Sequence, residues 1–461
     1  MSNNNNKSKS AISLQESWAS NISDYILLRR QQTHVAYDAK DAKTNDENRR
    51  IGKLGDNDLF TALFVILAAH LEEGHTVLTI DAADHETPLQ GEINGEIVTL
   101  YAWQQQLLGI LATPIFALID TQIKTQLDTQ IDDDTITETS LFVLLDTLFG
   151  QRDYLWAQLA LSNHEKETLI KRFNAITTLY HRLKNSDLNT FVHSIHKHAL
   201  FANVEANTNY NNNQNSLSKD NQPIIYNIAE NKETQSSKIT FWLHRTWQAE
   251  FNLAQHINHI LNQQIVPLDI TMPENLNDQQ IAAINVANNN AFSIITGGPG
   301  TGKTYTVAQL VIALQQATES RGDESEHIRF STDSASLALA APTGKAAQRM
   351  QESLQAALDA ADVKLQLQEA KTIHRLLGIG RTGRPRYDAN NPLGEDIIII
   401  DEASMLGVEL ANYLVSAVKP GARLILLGDA NQLAAVDAGA VLADLCRIPL
   451  LQPIHAELTE S

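Results

Sequence analysis

The sequence predicts an α/β protein in which a mainly helical N-terminal domain, residues 1–265, precedes a domain with a parallel sheet, residues 266–461. Two observations lead to this prediction. Before Asn203 the apolar residues recur at helical spacing, whereas from Phe292 onward short apolar runs alternate with helical segments. In addition, a glycine-rich turn follows the first of these runs and opens a helix, an order typical of phosphate-binding α/β domains.

The N-terminal domain is assigned from its helical periodicity. One strand-like piece, "TVLTI" at 76–80, interrupts it, and the Asn-rich stretch 203–222 has too few apolar residues to offset its ordering entropy, so we expect a disordered loop there. The boundary is placed near 266–274, around two prolines. Helices are predicted over 59–71, 103–110, 140–148 and 165–183.

The second domain is assigned from its strands. The runs "SLALAAP", "DIIIID" and "ARLILLGD" are short and almost continuously apolar, as strands are when both faces of a parallel sheet are covered. A further run at Phe292 leads into "GGPGTGKT", which fills every fixed position of the P-loop pattern. Glycines let backbone N–H groups converge on phosphate, Lys303 can reach the β- and γ-phosphates, and the Thr304 hydroxyl can bind Mg²⁺. The predicted nucleotide-binding residues are Gly297, Gly298, Pro299, Gly300, Thr301, Gly302, Lys303 and Thr304.

Two further motifs complete the predicted ATP and Mg²⁺ site. Four isoleucines lead into Asp401 and Glu402, so Asp401 is predicted as a metal ligand and Glu402 as the group that orients and deprotonates the attacking water. After another buried strand, Gln432 could sense the γ-phosphate, although an ordinary strand-to-loop turn explains that pattern equally well. Gln280, before the P-loop strand, could read the adenine edge.

Polar residues that follow other strands indicate a nucleic-acid surface. "AAPTGKAAQRM" predicts a strand end at which Thr343 and Lys345 present donors to a nucleic-acid backbone. His374, in "KTIHRLLG", fits a similar role, with a structural histidine as the alternative. The formal net charge of −19 argues against strong nucleic-acid binding by the chain as a whole. It does not exclude a local basic groove.

Composition narrows the class of protein. At 461 residues and 43% hydrophobic residues, the chain is typical of a soluble globular protein with about three domains. The single cysteine, Cys446, excludes an intrachain disulfide and suits a reducing compartment. Since the N-terminus is polar and the longest apolar run, 59–71, is too short to span a bilayer, we expect a cytoplasmic protein.

The order of these motifs resembles superfamily 1 helicases and is most similar to the RecD family, the alpha subunits of the RecBCD enzyme (exodeoxyribonuclease V). The resemblance rests on "GGPGTGKT", "LAAPTGKAA", "HRLLG", "DEASM" and "LGDANQLAAVDAGAVLADLC", and more loosely on "LFTALFVILAAHLEEGHTVLTI". It implies a 5′-to-3′ ATP-driven DNA helicase that acts on DNA ends with RecB-like and RecC-like partners in double-strand break repair and homologous recombination. The N-terminal region would dock on the gamma subunit.

The resemblance also implies roles for single residues. Gln280 would contact adenine, Lys303 and Thr304 would hold phosphate and Mg²⁺, Asp401 and Glu402 would be metal ligand and base, and Gln432 would couple the γ-phosphate to DNA. Because the chain ends soon after Gln432, the family's second RecA-like domain is expected to be missing. That domain supplies an arginine worth ~10³–10⁵ in rate, so slow turnover is expected of this chain alone.

Two alternatives remain open from the sequence. One is a non-catalytic fragment that binds the same partners. The other is a P-loop ATPase unrelated to DNA, in which the Thr343 and His374 motifs would have no explanation.

Overall fold

The computed structural model contains two compact units, Met1–Arg245 and Thr246–Ser461. The division falls earlier in the chain than the expected boundary near 266. Much of the Asn-rich stretch, 205–221, lies outside the described residues. The structure describes residues 48–72, 74–83, 87–127, 141–150, 162–184, 186–198, 200–204, 222–231, 236–270, 272, 276–321, 336–360, 368–432 and 439–459, some of them in backbone only.

Helices make up most of the described first unit, as the periodicity predicts. They are α1 (Asn48–Glu72), α2 (Ala102–Leu127), α3 (Leu141–Gly150), α4 (Asn163–Leu183) and α5 (Leu188–Lys197). A hairpin and a sheet accompany them, formed by β1 (Leu78–Ala83), β2 (Leu89–Ile93), β3 (Glu96–Leu100), β4 (Phe201–Asn203), β5 (Ile224–Asn231) and β6 (Ser236–Leu243).

The four-stranded sheet of the first unit has the order β1-β6-β5-β4. The sequence prediction contained only β1, two residues early, and missed the other three strands. β5 and β6 pair antiparallel along their whole length, and the short β4 pairs parallel to β5. Helices α1 and α2 pack on α4, and the buried Gln104 amide donates to the carbonyls of Leu183 (2.9 Å) and Ser186 (2.8 Å), which joins α2 to the end of α4.

α6 (His244–Leu261) starts two residues before the second unit; within that unit α7 (Asp278–Asn289) follows it, and strands then alternate with helices. The remaining elements are β7 (Phe292–Gly297), α8 (Lys303–Arg321), β8 (Leu337–Ala341), α9 (Gly344–Ala360), β9 (Lys371–Thr372), α10 (Ile373–Leu376), β10 (Ile397–Ile400), a 3₁₀ turn (Ala403–Met405), α11 (Val408–Ser416), β11 (Arg423–Gly428), α12 (Val441–Arg447), a 3₁₀ segment (Pro449–Ile454) and β12 (His455–Leu458).

These six strands form one parallel sheet of order β12-β7-β11-β10-β8-β9, which confirms the predicted α/β fold. The central strands β8 and β10 are apolar throughout, and β7 and β11 are mostly apolar, because successive side chains face opposite cores. Ile398 and Ile400 pack with α6 and α11, whereas Ile397 and Ile399 pack with α7, α8 and α9. The sheet is therefore covered on both faces.

A buried arginine fixes the segment between α6 and α7. The Arg423 guanidinium, at the start of β11, donates to the Asn288 carbonyl (3.0 Å) and to the Val266 carbonyl (3.0 Å). The Asn288 side chain in turn bonds the backbone N–H and C=O of Leu268. Residues 266–268 are therefore held against α7 and the start of β11 within the second unit. In the described ranges, no helix is both long and apolar enough to cross a bilayer.

Candidate nucleotide site

The predicted functional motifs lie at one edge of the second-unit sheet. Because all six strands are parallel, their carboxyl ends share an edge, and ligands bind at such edges in open α/β sheets. The P-loop follows β7, the Gln432 segment follows β11, and Asp401 with Glu402 follows β10. Thr343 and His374 follow the next two strands, β8 and β9.

The P-loop adopts a backbone that requires its glycines. Gly300 (φ 84°) and Gly302 (φ 76°) occupy the left-handed region, in which a Cβ is unfavourable. The Thr301 hydroxyl donates to the Gly298 carbonyl (2.9 Å) and closes the turn around Pro299. The Lys303 ammonium donates to the carbonyls of Gly297 and Gly298, the latter at 2.8 Å, so the charge is held inside the loop. Thr304 is the second residue of α8, and its side chain lies outside the described part of the chain.

Asp401 and Glu402 follow β10 at a strained turn. Asp401 continues the strand through an N–H bond to the Ala340 carbonyl (2.9 Å), and its Oδ1 accepts the Glu402 N–H (2.8 Å). Glu402 has φ 54° and ψ 37°, which is left-handed and unusual for a residue with a Cβ. Backbone strain of this kind concentrates at functional sites.

The surroundings of the pair raise the pKa of both carboxyl groups. Burial raises the pKa of Asp401, against the opposing effects of the Glu402 N–H bond and the Lys303 charge. Burial and then the Asp401 charge raise the pKa of Glu402, while Lys303 and Arg349 act in the opposite direction. Two acidic groups and the P-loop lysine therefore influence one another electrostatically, and a bound cation would stabilise both carboxylates.

The Gln432 segment contacts the acidic segment. The Ser404 hydroxyl donates to Gln432 Oε1 at 3.4 Å, which is a long hydrogen bond. The two segments approach closely because Gly428 ends β11: a Cβ there would lie 2.5 Å from Leu442 Cδ2 and 3.0 Å from the Ser404 nitrogen. The structure thus brings Gln432 to Ser404, two residues after Glu402, and the sensor role of Gln432 stays a prediction.

Gln280 lies beside the P-loop, and its side chain is hydrogen-bonded in the N-terminal cap of α7. It is 7% exposed, and it forms a capping box in which its Oε1 accepts the Asn277 N–H (3.1 Å) and its own N–H donates to Asn277 Oδ1 (2.9 Å). Its Nε2 lies 3.1 Å from the position that a Cβ on Gly302 would take. The neighbouring Gln279 bonds Thr459 after β12 through both ends of its amide.

The three residues assigned to nucleic acid are exposed on neighbouring strand ends. Thr343 directly precedes α9, with its hydroxyl accepting the Ala346 N–H (3.2 Å), and Lys345 lies in the first turn of the helix. His374 is exposed in α10, just after β9, so it is not a buried structural histidine. Since β8 and β9 are paired, all three lie on the same side of the edge, beyond Asp401.

Two contributors were missed by the sequence analysis. Ser404, inside "DEAS", connects to Gln432, and Arg349, inside "AAPTGKAAQRM", lowers the pKa of Glu402 by its charge. Both residues lie within motifs that had been recognised for other residues. Their roles depend on which strands are neighbours, and sequence spacing alone carries no signal of that.

Comparisons with known proteins match this site region. The family model described as an AAA domain matches residues 280–438. The RecD subunit of the RecBCD enzyme from Haemophilus influenzae is 37% identical over 238 residues, 47% of this chain and 35% of that protein. The corresponding subunit from Mycobacterium tuberculosis is 42% identical over 212 residues, 44% of this chain and 35% of that protein.

This chain is similar to RecD subunits over about half of its length. The similarity extends to an ATP-dependent RecD2 DNA helicase from Deinococcus radiodurans, which is 33% identical over 241 residues, 50% of this chain and 29% of that protein. The resemblance to the RecD family read from the motifs is confirmed over about half of the chain. The matched segments span about a third of the length of these relatives.

Proposed function

We propose that this chain is an ATP-dependent DNA helicase subunit of RecD type, which translocates 5′ to 3′ in double-strand break repair and homologous recombination. The observation that carries the proposal is the single sheet edge that brings Lys303 to the Asp401–Glu402 pair and Gln432 to the neighbouring Ser404. The RecD relatives support the DNA-directed part of it. Partners of RecB and RecC type, DNA ends and a cytoplasmic location belong to the same proposal.

The P-loop is proposed to hold the triphosphate of ATP. The Lys303 ammonium, now hydrogen-bonded to two loop carbonyls, would exchange these neutral acceptors for phosphate oxygens, which make stronger charge-assisted bonds. The backbone N–H groups of Gly298 and of Gly300 through Thr304, together with the start of α8, add favourable dipoles. Nucleotide binding would therefore need little rearrangement of the loop.

The acidic pair suits a hard divalent cation. Mg²⁺ prefers carboxylate and hydroxyl oxygens, so Asp401 and Thr304 would hold it, and when bound it would neutralise charge on the β- and γ-phosphates. Asp401 is the appropriate ligand because one of its oxygens is fixed by the Glu402 N–H and the carboxylate cannot turn freely. Its pKa, raised by burial, would fall once a cation is present.

Glu402 is proposed to accept the proton of the attacking water. A general base works best when its pKa lies nearer the working pH than that of an ordinary carboxyl, and burial with the Asp401 charge moves the pKa of Glu402 in that direction. The left-handed backbone at Glu402 fixes where its side chain leaves the turn. Gln432, connected through Ser404 to the same segment, would report whether the γ-phosphate is present.

DNA is proposed to bind along the adjoining strand ends. Thr343, Lys345 and His374 are exposed donors, and Lys345 can neutralise a backbone phosphate. Thr343 and Lys345 follow β8, which pairs with β10, and His374 follows β9, which pairs with β8. A change at Asp401 or Glu402 could therefore reach them through neighbouring paired strands.

Two substitutions test the ATP-binding part and the DNA-binding part of the proposal separately. Lys303→Ala should abolish ATP·Mg²⁺ binding and leave single-stranded DNA binding unchanged, whereas Lys345→Ala should weaken DNA binding and lower its salt slope by about 1, with ATP binding intact. Titrations with a fluorescent nucleotide and with a labelled oligonucleotide measure the two. ATP binding without any DNA binding would favour a P-loop ATPase unrelated to DNA. Equal nucleotide affinity of wild type and Lys303→Ala would refute the nucleotide site.

A further inference from the structure

An aromatic ring is exposed in the first turn of the P-loop helix. Tyr305 keeps 42% of its surface accessible, although the next two residues of α8, Thr306 and Val307, are 0% and 2% exposed. Large aromatic side chains on a surface are common binding elements, because a ring contributes apolar contact area with little loss of conformational entropy. Its position beside Lys303 makes the nucleotide the natural partner to consider.

The sheet order defines which side of the P-loop faces the nucleoside. β7 lies between β11 and β12, and the groups assigned to the γ-phosphate, Asp401, Glu402 and Gln432, follow β10 and β11. The ribose and base must extend away from that end of the triphosphate. On the other side of β7 lie β12 and the N-terminus of α7, which Gln279 ties to Thr459.

Tyr305 and Gln280 both lie close to the start of α8. Gly302, with φ 76°, directly precedes the helix, and Tyr305 is the third residue of the helix. The Gln280 amide nitrogen lies 3.1 Å from where a Cβ on Gly302 would be, so it is adjacent to the same helix end. The start of α8 therefore has a planar polar amide close to it and an exposed ring in its first turn.

We propose that Tyr305 is the base-stacking residue of the nucleotide site. The inference rests on the proposed function, since it assumes that the P-loop binds a nucleoside triphosphate. The ring stacks on one face of the heterocycle, and the Gln280 amide approaches its edge. Stacking tolerates any base but grows with ring overlap, so purine nucleotides bind better than pyrimidine nucleotides, and the contribution is absent for a triphosphate without a base.

The test compares ligands with and without a base. Isothermal titration of the full chain with ATP, CTP and inorganic tripolyphosphate, each with Mg²⁺, should show about ten-fold weaker ATP binding by Tyr305→Ala. Tripolyphosphate binding should be unchanged, and Tyr305→Phe, which keeps the ring, should bind ATP like wild type. The preference of wild type for ATP over CTP should shrink in Tyr305→Ala.

Two outcomes would overturn the stacking role. One is unchanged ATP affinity in Tyr305→Ala. The other is an equal loss of ATP and tripolyphosphate binding, because it would mean that the ring only supports the loop. Failure of the folded wild-type chain to bind either ligand is a different result, which would refute the proposed nucleotide site itself.

Discussion

Gly297 offers the sharpest test of the P-loop geometry. It ends β7 opposite Leu458 of β12, and a Cβ added there would lie 2.5 Å from the Thr301 Oγ1 and 2.7 Å from the Leu458 carbonyl oxygen. Real Cβ contacts essentially never fall below 3.0 Å. The Leu458 oxygen belongs to the backbone of a paired strand and cannot rotate away, so Gly297→Ala must displace either the loop or β12.

The size of the effect follows from these contacts. The Leu458 oxygen is about 0.7 Å short of an ordinary contact at 3.4 Å, and overpacking of this kind costs about 1–3 kcal/mol. If Thr301 also turns away, the loop loses the 2.9 Å bond to the Gly298 carbonyl, worth about 1 kcal/mol. We expect a total near 2–4 kcal/mol, divided between weaker ATP binding, at least about ten-fold, and faster local opening of β7 and β12.

Gly298→Ala is the matched control in the same loop. Its Cβ would meet only Thr301 Cγ2, at 3.9 Å, which is an ordinary contact, and its φ is not positive. Hydrogen exchange of β7 and β12 in the full chain, with ATP titration of both variants, measures the difference. Wild-type protection of both strands in Gly297→Ala, or equal losses in the two variants, would refute the reasoning.

Three further expectations concern other parts of the molecule. Glu402→Gln should cut ATP hydrolysis about 100-fold or more with little change in ATP affinity. As the pH is lowered, the wild-type rate should begin to fall at a pH above the usual pKa range of a carboxyl group, because burial and then the Asp401 charge raise the pKa of Glu402. A loss of rate confined to that usual pH range would contradict this. A fragment ending at Arg245 should remain monomeric in size-exclusion chromatography. A fragment ending at Gln264 should self-associate, because it exposes the apolar face of α6 that packs in the second unit. The same elution state for both fragments would contradict this. Burial raises the pKa of the Cys446 thiol from 9.0 to about 11, so alkylation at pH 8 should be about 100-fold slower in the folded than in the unfolded chain by intact mass, and equal rates would refute it.

The strands and motifs of the second unit were predictable because their signals are local. "GGPGTGKT" predicted a strand, a glycine turn and a helix, and the structure has β7, the loop with positive φ at Gly300 and Gly302, and α8. "DIIIID" predicted a buried strand that ends at Asp401, and β10 ends at Ile400. A continuous apolar run indicates a buried strand and a glycine cluster indicates a turn, and both signals are contained in adjacent residues.

The first unit shows the opposite case. Its sheet was largely missed because β4 has only three residues and because β6 pairs with β1, far away in the sequence, as well as with β5. Strands whose pairing partners are distant carry little local signal, since their stability comes from cross-strand contacts. The helices, whose periodicity is local, were found at 59–71, 103–110, 140–148 and 165–183, within or close to the observed bounds.

The sequence by itself therefore determined the class of fold, the P-loop and the acidic pair, because glycine conformations and apolar periodicity are properties of adjacent residues. Only the tertiary structure decided how these parts meet. Strand order brings Gln432 to Ser404 and puts the charges of Lys303 and Arg349 near Glu402, and the packing of α8 leaves Tyr305 exposed. These contacts and charge interactions depend on which distant segments pair in the sheet, because strand pairing sets the distances between the side chains.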